Sequence, residues 1–209
     1  MTTLIIARHG NTFEKGEPPR RVGGRTDIPL VSSGVYQVQC IGRYLQKMNI
    51  SLDAVYSSPL LRTRKSADII LEALESNAPV IPLEMFKEID YGPDENQTEE
   101  AVIGRIGVQA IEAWNEHAIV PEGWNVDPDE IISNWKVFAK DMHEKYPTGT
   151  VLVTTSNGIL RFSPHLTGNF AAFAQKYPIK VSTGAFCIFK YLHERWTITE
   201  WNLKPSNFD

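Results

Sequence analysis

Short apolar runs alternate with longer amphipathic stretches along this chain of 209 residues. "TLIIA" near the N-terminus is a continuous apolar run, the pattern of a strand buried on both faces. From Ser32 to Met48, Val35, Val38, Ile41, Tyr44, Leu45 and Met48 recur at helical spacing, which predicts a helix. "DAVYS" predicts a second strand. "PLLRTRKSADIILEALE" predicts a helix opened by Pro59, a residue favoured at the first helical position. "APVIPL" predicts a third strand, and Glu84 to Gln97, with Gly92 and Pro93, a loop. Thr98 to His117 and Asp129 to Lys145 predict two further helices, separated by a break at Asn125 to Asp129. "TVLVT" predicts a fourth strand. "GAFCIFKYL" and "RWTITEWNL" predict a hairpin turning near His193 and Glu194.

Strands alternating with helices imply one α/β domain over residues 1–209. Its predicted architecture is a three-layer sandwich: a mostly parallel sheet with an antiparallel edge hairpin and helices on both faces. Ligands of such sheets bind beyond the carboxyl ends of the strands. Arg8-His9-Gly10, Ser57-Ser58 and Ser156-Asn157-Gly158 all fall there.

Composition adds exclusions. The chain is 42% hydrophobic and 22% charged, as in ordinary globular proteins. A formal net charge of −4 argues against a nucleic-acid surface but leaves room for a small basic pocket. Cys40 and Cys187 form no CxxC pair and sit in apolar runs, which fits buried free thiols in a reducing compartment. The apolar run Leu4 to Ala7 is too short for a signal peptide or a membrane span. A cytoplasmic protein without membrane contact is the expectation. The edge strands are compatible with a homodimer, which no sequence feature demands.

Three segments carry candidate chemistry. In "LIIARHGNT", His9 at a strand end is a nucleophile, a base, a metal ligand or a hydrogen-bonded loop histidine. It has no His or Cys partner at ligand spacing, so metal is set aside. In "YSSPLLRTRKSAD", Arg62 lies near a helix N-terminus, either as a phosphate fork or as a solvated charge. In "VLVTTSNGIL", Asn157 lies at a strand-to-helix turn, where it or Ser156 can cap a helix beginning at Gly158.

"RHGNT", "RVGGRTDIPLVSSG", "SSPLLRTRKSAD", "FKEIDYG" and "VLVTTSNG" in this order resemble the histidine phosphatase superfamily, also called phosphoglycerate mutase-like. The resemblance runs from about Leu4 to Leu160. It implies an α/β fold and phosphohistidine chemistry with no metal or other cofactor. Carried over, His9 is the nucleophile, and Glu88 in "KEIDYG" is the general acid and then the base. Arg8 and Arg62 clamp the phosphoryl oxygens, and Asn157, Asn11 and Thr12 add neutral hydrogen bonds. Gly23 and Gly24 let backbone approach the substrate or simply serve a turn.

The family's usual Ser-His-Gly is Ser156-Asn157-Gly158 here, so the second pocket histidine is replaced by a group that cannot carry positive charge. On this reading Asn157→His would raise the rate about 10-fold or more. The Gly-Glu-Ser common among the phosphatases is Gly123-Trp124-Asn125, leaving Trp124 as pocket wall or packing residue. The basic insertion of the mutases is not apparent. The expected activity is hydrolysis of a small phosphomonoester, a phosphorylated metabolite, with reduced turnover. The alternatives are a pseudoenzyme that binds a phosphorylated ligand or partner and, more remotely, a mutase-type phosphotransferase.

Overall fold

The computed structural model describes residues 1–208. Six strands form one sheet: β1 (Thr3–Arg8), β2 (Ala54–Ser57), β3 (Val80–Pro82), β4 (Thr150–Thr155), β5 (Phe186–Leu192) and β6 (Arg195–Leu203). Their order is β3-β2-β4-β1-β5-β6. The first four are parallel; β5 runs antiparallel to β1 and β6 antiparallel to β5. The predicted architecture is the observed one.

Alternation along β1 sorts its side chains to two cores. Leu4 and Ile6 join one cluster, with Trp135 and Phe138 of α5 (Pro128–Lys145). Ile5 and Ala7 join the other, with Val38 and Ile41 of α1 (Ser32–Lys47) and Ile70 of α2 (Leu61–Ala73). A strand buried on both faces needs apolar residues at every position, which is why "LIIA" shows no alternation.

Several elements differ from the sequence reading. The helix expected over Thr98 to His117 is two, α3 (Glu99–Ile106) and α4 (Val108–His117). Gly107 between them has φ 83° and ψ 159°, open to glycine and strained for other residues. Pro59 precedes α2, whose N-cap is Leu60, because Ser58 and Pro59 are used in leaving β2. The loop from Glu84 to Gln97 contains 3₁₀ turns at Glu84–Phe86 and Gly92–Asp94. Helix α6 (Asn157–Leu160) is a single turn starting at Asn157, and it is followed by an unpredicted α7 (Phe170–Lys176) capped by the Asn169 side chain. The hairpin turns at His193 and Glu194 as expected, both with positive φ (48° and 61°), which matches the twist of the flanking strands. Both cysteines are buried, and neither is in a disulfide among the described residues. No helix among the described residues is long and apolar enough to cross a membrane.

This topology positions the candidate site. The chain passes from β1 through α1 to β2, leaving β4 between β1 and β2. The ends of β1 and β4 therefore lie side by side, with Arg8 paired to Thr155.

Candidate active site

His9 follows β1 directly. Its backbone N–H donates to the Thr155 carbonyl (3.2 Å), and its own carbonyl accepts from Gly184 N–H (3.0 Å). The imidazole Nδ1 lies 2.7 Å from the Gly10 carbonyl oxygen. A carbonyl can only accept, so Nδ1 carries the proton and Nε2 keeps its lone pair. The ring is 6% exposed. Burial first, then the charges of Arg62 and Arg8, hold its pKa well below 6.5, against the opposing pull of the Gly10 carbonyl. His9 is neutral at pH 7, the form that attacks an electrophile.

Two guanidinium groups act on it through their charge, that of the partly buried Arg8 and that of Arg62. Arg8 donates from Nη1 to the Val181 carbonyl (2.5 Å), and its buried Nε has no hydrogen-bond partner. Arg62 is wholly buried in α2. It donates from Nη1 to Thr26 O (2.8 Å) and from Nη2 to Gly23 O (3.2 Å) and Val22 O (3.4 Å); its Nε is likewise unpartnered. Neither forms an ion pair with a described residue. Carbonyls hold these cations in place without neutralising them. Burial lowers both pKa values, Glu88 being the largest opposing influence in each case. Both remain charged at neutral pH.

Glu95 organises the loop that cradles Arg62. Its Oε1 accepts from Gly23 N–H (3.1 Å), Arg25 N–H (3.1 Å) and Thr26 Oγ1 (2.8 Å), and its Oε2 from Tyr91 N–H (3.3 Å). Gly24 N–H donates to Ile89 O (2.9 Å). The backbone N–H groups of Gly23 and Gly24 are thus used inside the protein. A Cβ on Gly24 would come within 2.5 Å of the Glu88 carbonyl oxygen. The two glycines let this loop pack against the segment that carries Glu88.

Glu88 is 7% exposed. Its Oε1 accepts from Ile89 N–H (2.9 Å) and its Oε2 from Gly158 N–H (3.2 Å). A Cβ on Gly158 would collide with the Glu88 carboxylate, so glycine is required for this approach. Thr155 Oγ1 donates to the Phe86 carbonyl (2.7 Å) and ties the acid's loop to the end of β4. Burial pushes the Glu88 carboxyl up from its usual range, opposed by Ile89 N–H, Arg62, Gly158 N–H and Arg8. A raised carboxyl in the same cleft as a neutral imidazole can supply the proton of general acid catalysis.

Asn157 is 7% exposed, and its Oδ1 accepts from Val181 N–H (2.8 Å). Because a backbone N–H needs an acceptor, the amide orientation is fixed and Nδ2 is left for the cleft. Asn157 does not cap α6; it is the helix's first residue, and the N-cap Ser156 makes no side-chain cap bond. A histidine at 157 would satisfy Val181 N–H through Nδ1 only when neutral. Asn157→Ala should lower turnover about 10²–10³-fold, the usual cost of losing a donor to developing negative charge. Steady-state kinetics checks this, and an alanine variant as fast as wild type would leave Asn157 a purely structural role.

Arg8, His9, Glu88 and Asn157 line one cleft of about 880 Å³, together with Asn11 and Thr12. Arg62, Gly23 and Gly24 do not line it, although the charge of Arg62 reaches both His9 and Glu88. The Asn11 amide is engaged at both ends, donating to Ser33 Oγ (3.3 Å) and accepting from Thr183 Oγ1 (2.5 Å). Trp124 is a packing residue: its ring meets Tyr91 and Trp114 edge-on, and its Nε1 donates to the buried Asp94 (2.7 Å). Sequence reasoning passed over Tyr91, Arg161, Lys180 and Thr183, which also line the cleft. Arg161 had a readable signal, since it stands four residues after Asn157 and so on the same side of a helix.

The chain and its fold resemble known proteins. A segment of 95 residues is 37% identical to an uncharacterized phosphatase, PhoE, of Bacillus subtilis (strain 168), covering 46% of each chain. A segment of 161 residues is 24% identical to a 2,3-bisphosphoglycerate-dependent phosphoglycerate mutase of Hamiltonella defensa, covering 76% of this chain and 64% of the mutase. These matches therefore span less than two thirds of each curated relative. The fold superimposes on a phosphoserine phosphatase mutant from Entamoeba histolytica, solved with phosphoserine, at a TM-score of 0.77 and 21% identity over 98% of both chains. The family model of the histidine phosphatase superfamily (branch 1) matches residues 4–204, and the chain belongs to that superfamily.

Proposed function

We propose that the protein is a metal-independent phosphatase that hydrolyses a small phosphomonoester through a phosphohistidine on His9. The observation that carries this reading is a neutral His9 with a free Nε2 in the field of two guanidinium groups that form no ion pair with a described residue. Nε2 attacks phosphorus, and the bond from phosphorus to the ester oxygen breaks. Glu88 gives its proton to the departing oxygen. Glu88, now a carboxylate, takes a proton from water as that water attacks the phosphohistidine. Inorganic phosphate leaves and His9 regains its lone pair. Arg8 and Arg62 offset the negative charge that gathers on the phosphoryl oxygens, and Asn157 Nδ2 donates to one of them. The unpartnered Nε of Arg8, which lines the cleft, supports its role, and Arg62 acts from outside the cleft through its charge.

One observation favours a binding protein instead: the side chain at 157 supplies a dipole where the family usually supplies a second histidine. Protein stripped with a chelator and assayed on p-nitrophenyl phosphate separates the readings. The expected result is steady release of nitrophenolate and inorganic phosphate, with no acceptor added and no change on chelation. Phosphate binding without turnover would establish the binder, and dependence on an added acceptor would establish a phosphotransferase.

A further inference from the structure

We propose that a second cavity, between the C-terminal half of α5 and the β5–β6 hairpin, binds a small flat aromatic ring bearing one anionic group, such as an aromatic carboxylate. The cavity measures about 310 Å³ and shares no lining residue with the catalytic cleft. It sits at the other end of the sheet. Tyr191 N–H donates to the Thr2 carbonyl (3.0 Å), just before β1 begins, whereas His9 follows where β1 ends. The proposal does not rest on the phosphatase reading.

The walls are rings that the fold holds in place. His143 of α5 packs against Tyr191 of β5 with ring centres 3.9 Å apart, and Tyr191 meets Trp196 of β6 edge-on at 5.4 Å. His165, in the 3₁₀ turn Ser163–Thr167, stacks on Phe170 at 4.1 Å. Thr2 fixes the His143 ring. Its hydroxyl donates its one proton to the Tyr146 carbonyl (2.9 Å), so it accepts from His143 Nδ1 (2.8 Å) and Nε2 is left over. Other polar atoms on these rings lack partners. Neither ring nitrogen of His165 hydrogen-bonds to a described residue, and nor does the indole N–H of Trp196. Trp196 is only 8% exposed. An indole N–H so buried ordinarily has an acceptor, which a ligand oxygen would supply.

Charge sets the sign of the ligand. Lys136 and Lys140 stand four residues apart on one face of α5, and both line the cavity. Lys136 forms no ion pair with a described residue. Lys140 lies 3.7 Å from Glu144, an exposed pair of the kind that neutralises little. No carboxylate is among the described residues that line the cavity. Burial, and then the charge of Lys136, lower the His165 pKa, so that ring is neutral at pH 7 and can lie against an apolar one. Aromatic walls take a flat ring, and the two ammonium groups take a single negative charge on it. A cationic ring would meet the same lysines as repulsion.

The probe is 1-naphthoate, with 1-naphthalenemethanol as its neutral counterpart and cyclohexanecarboxylate as its non-aromatic one. The readout is the set of indole N–H signals in a proton–nitrogen NMR titration of the full chain. Trp196 is the signal that Trp196→Phe lacks. It should move saturably with 1-naphthoate, and both counterparts should bind at least about 10-fold more weakly. The double variant Lys136→Ala, Lys140→Ala should weaken 1-naphthoate at least about 10-fold and leave 1-naphthalenemethanol unchanged. Both lysines are exposed, and the neutral probe reports that the cavity is intact in the variant. A Trp196 signal that stays still, equal affinity for all three probes, or 1-naphthoate bound as tightly by the double variant overturns the proposal. Movement confined to the other indoles places the probe elsewhere and overturns it too. No turnover enters the measurement, so loss of the phosphatase reading would leave this result standing.

Discussion

His9→Ala should hydrolyse p-nitrophenyl phosphate at least about 10³-fold more slowly than wild type, in line with losses seen when a covalent nucleophile is removed. The size of the effect follows from what the imidazole does. It accepts the phosphoryl group and so divides one difficult displacement into two easier ones. Alanine leaves Arg8, Arg62 and Glu88 in place, so phosphate binding should persist while the covalent step disappears. Two measurements check this: steady-state turnover, and retention of a phosphoryl group on protein quenched during turnover. Wild type should carry a phosphoryl group that is stable in alkali and labile in acid, and His9→Ala should carry none. A variant within about 10-fold of wild type would mean that water attacks directly, with His9 reduced to a hydrogen-bonded residue at a strand end.

Much of this site was legible before the structure because strand ends are legible. A run such as "LIIA" has one place in an α/β fold, and the polar residues that follow it must lie at the sheet's carboxyl edge. Arg8, His9 and Asn157 were therefore located by topology alone. Glu88 was not, since a glutamate in a polar loop carries no periodic signal; only the resemblance of "KEIDYG" marked it. Its burial depends on a distant glycine, Gly158, whose missing Cβ admits the carboxylate. The tautomer of His9 depends on the adjacent carbonyl, a backbone detail no pattern of side chains encodes. The hold of Val181 N–H on Asn157 is a contact across 24 residues, which no local pattern encodes. The break at Gly107 shows the opposite failure: apolar spacing continued through a residue whose backbone left the helix.

Glu88→Gln should separate the two half-reactions. With an alkyl ester such as glycerol 3-phosphate, the leaving oxygen needs a proton, and turnover should fall about 10²–10⁴-fold. Nitrophenolate departs without one, so His9 should still be phosphorylated by p-nitrophenyl phosphate. The second step then stalls, because glutamine cannot take the proton of the attacking water. The expected record is a burst of one nitrophenolate per site followed by slow turnover, with phosphohistidine accumulating. Glutamine retains an oxygen for only one of the two backbone N–H groups that Glu88 accepts, so thermal unfolding should accompany the kinetics. The burst itself reports a folded site, since an unfolded protein gives none. The pH profile supplies an independent check. Reaction requires His9 neutral and Glu88 protonated. Wild-type kcat/KM for the alkyl ester should fall on the acid side only well below pH 6.5, where His9 gains a proton. It should fall on the alkaline side as Glu88 ionises above its raised pKa. In Glu88→Gln the alkaline fall should vanish while the acid fall remains. An alkyl ester hydrolysed by Glu88→Gln as fast as by wild type, with the alkaline fall intact, would assign the general acid to another group at the cleft.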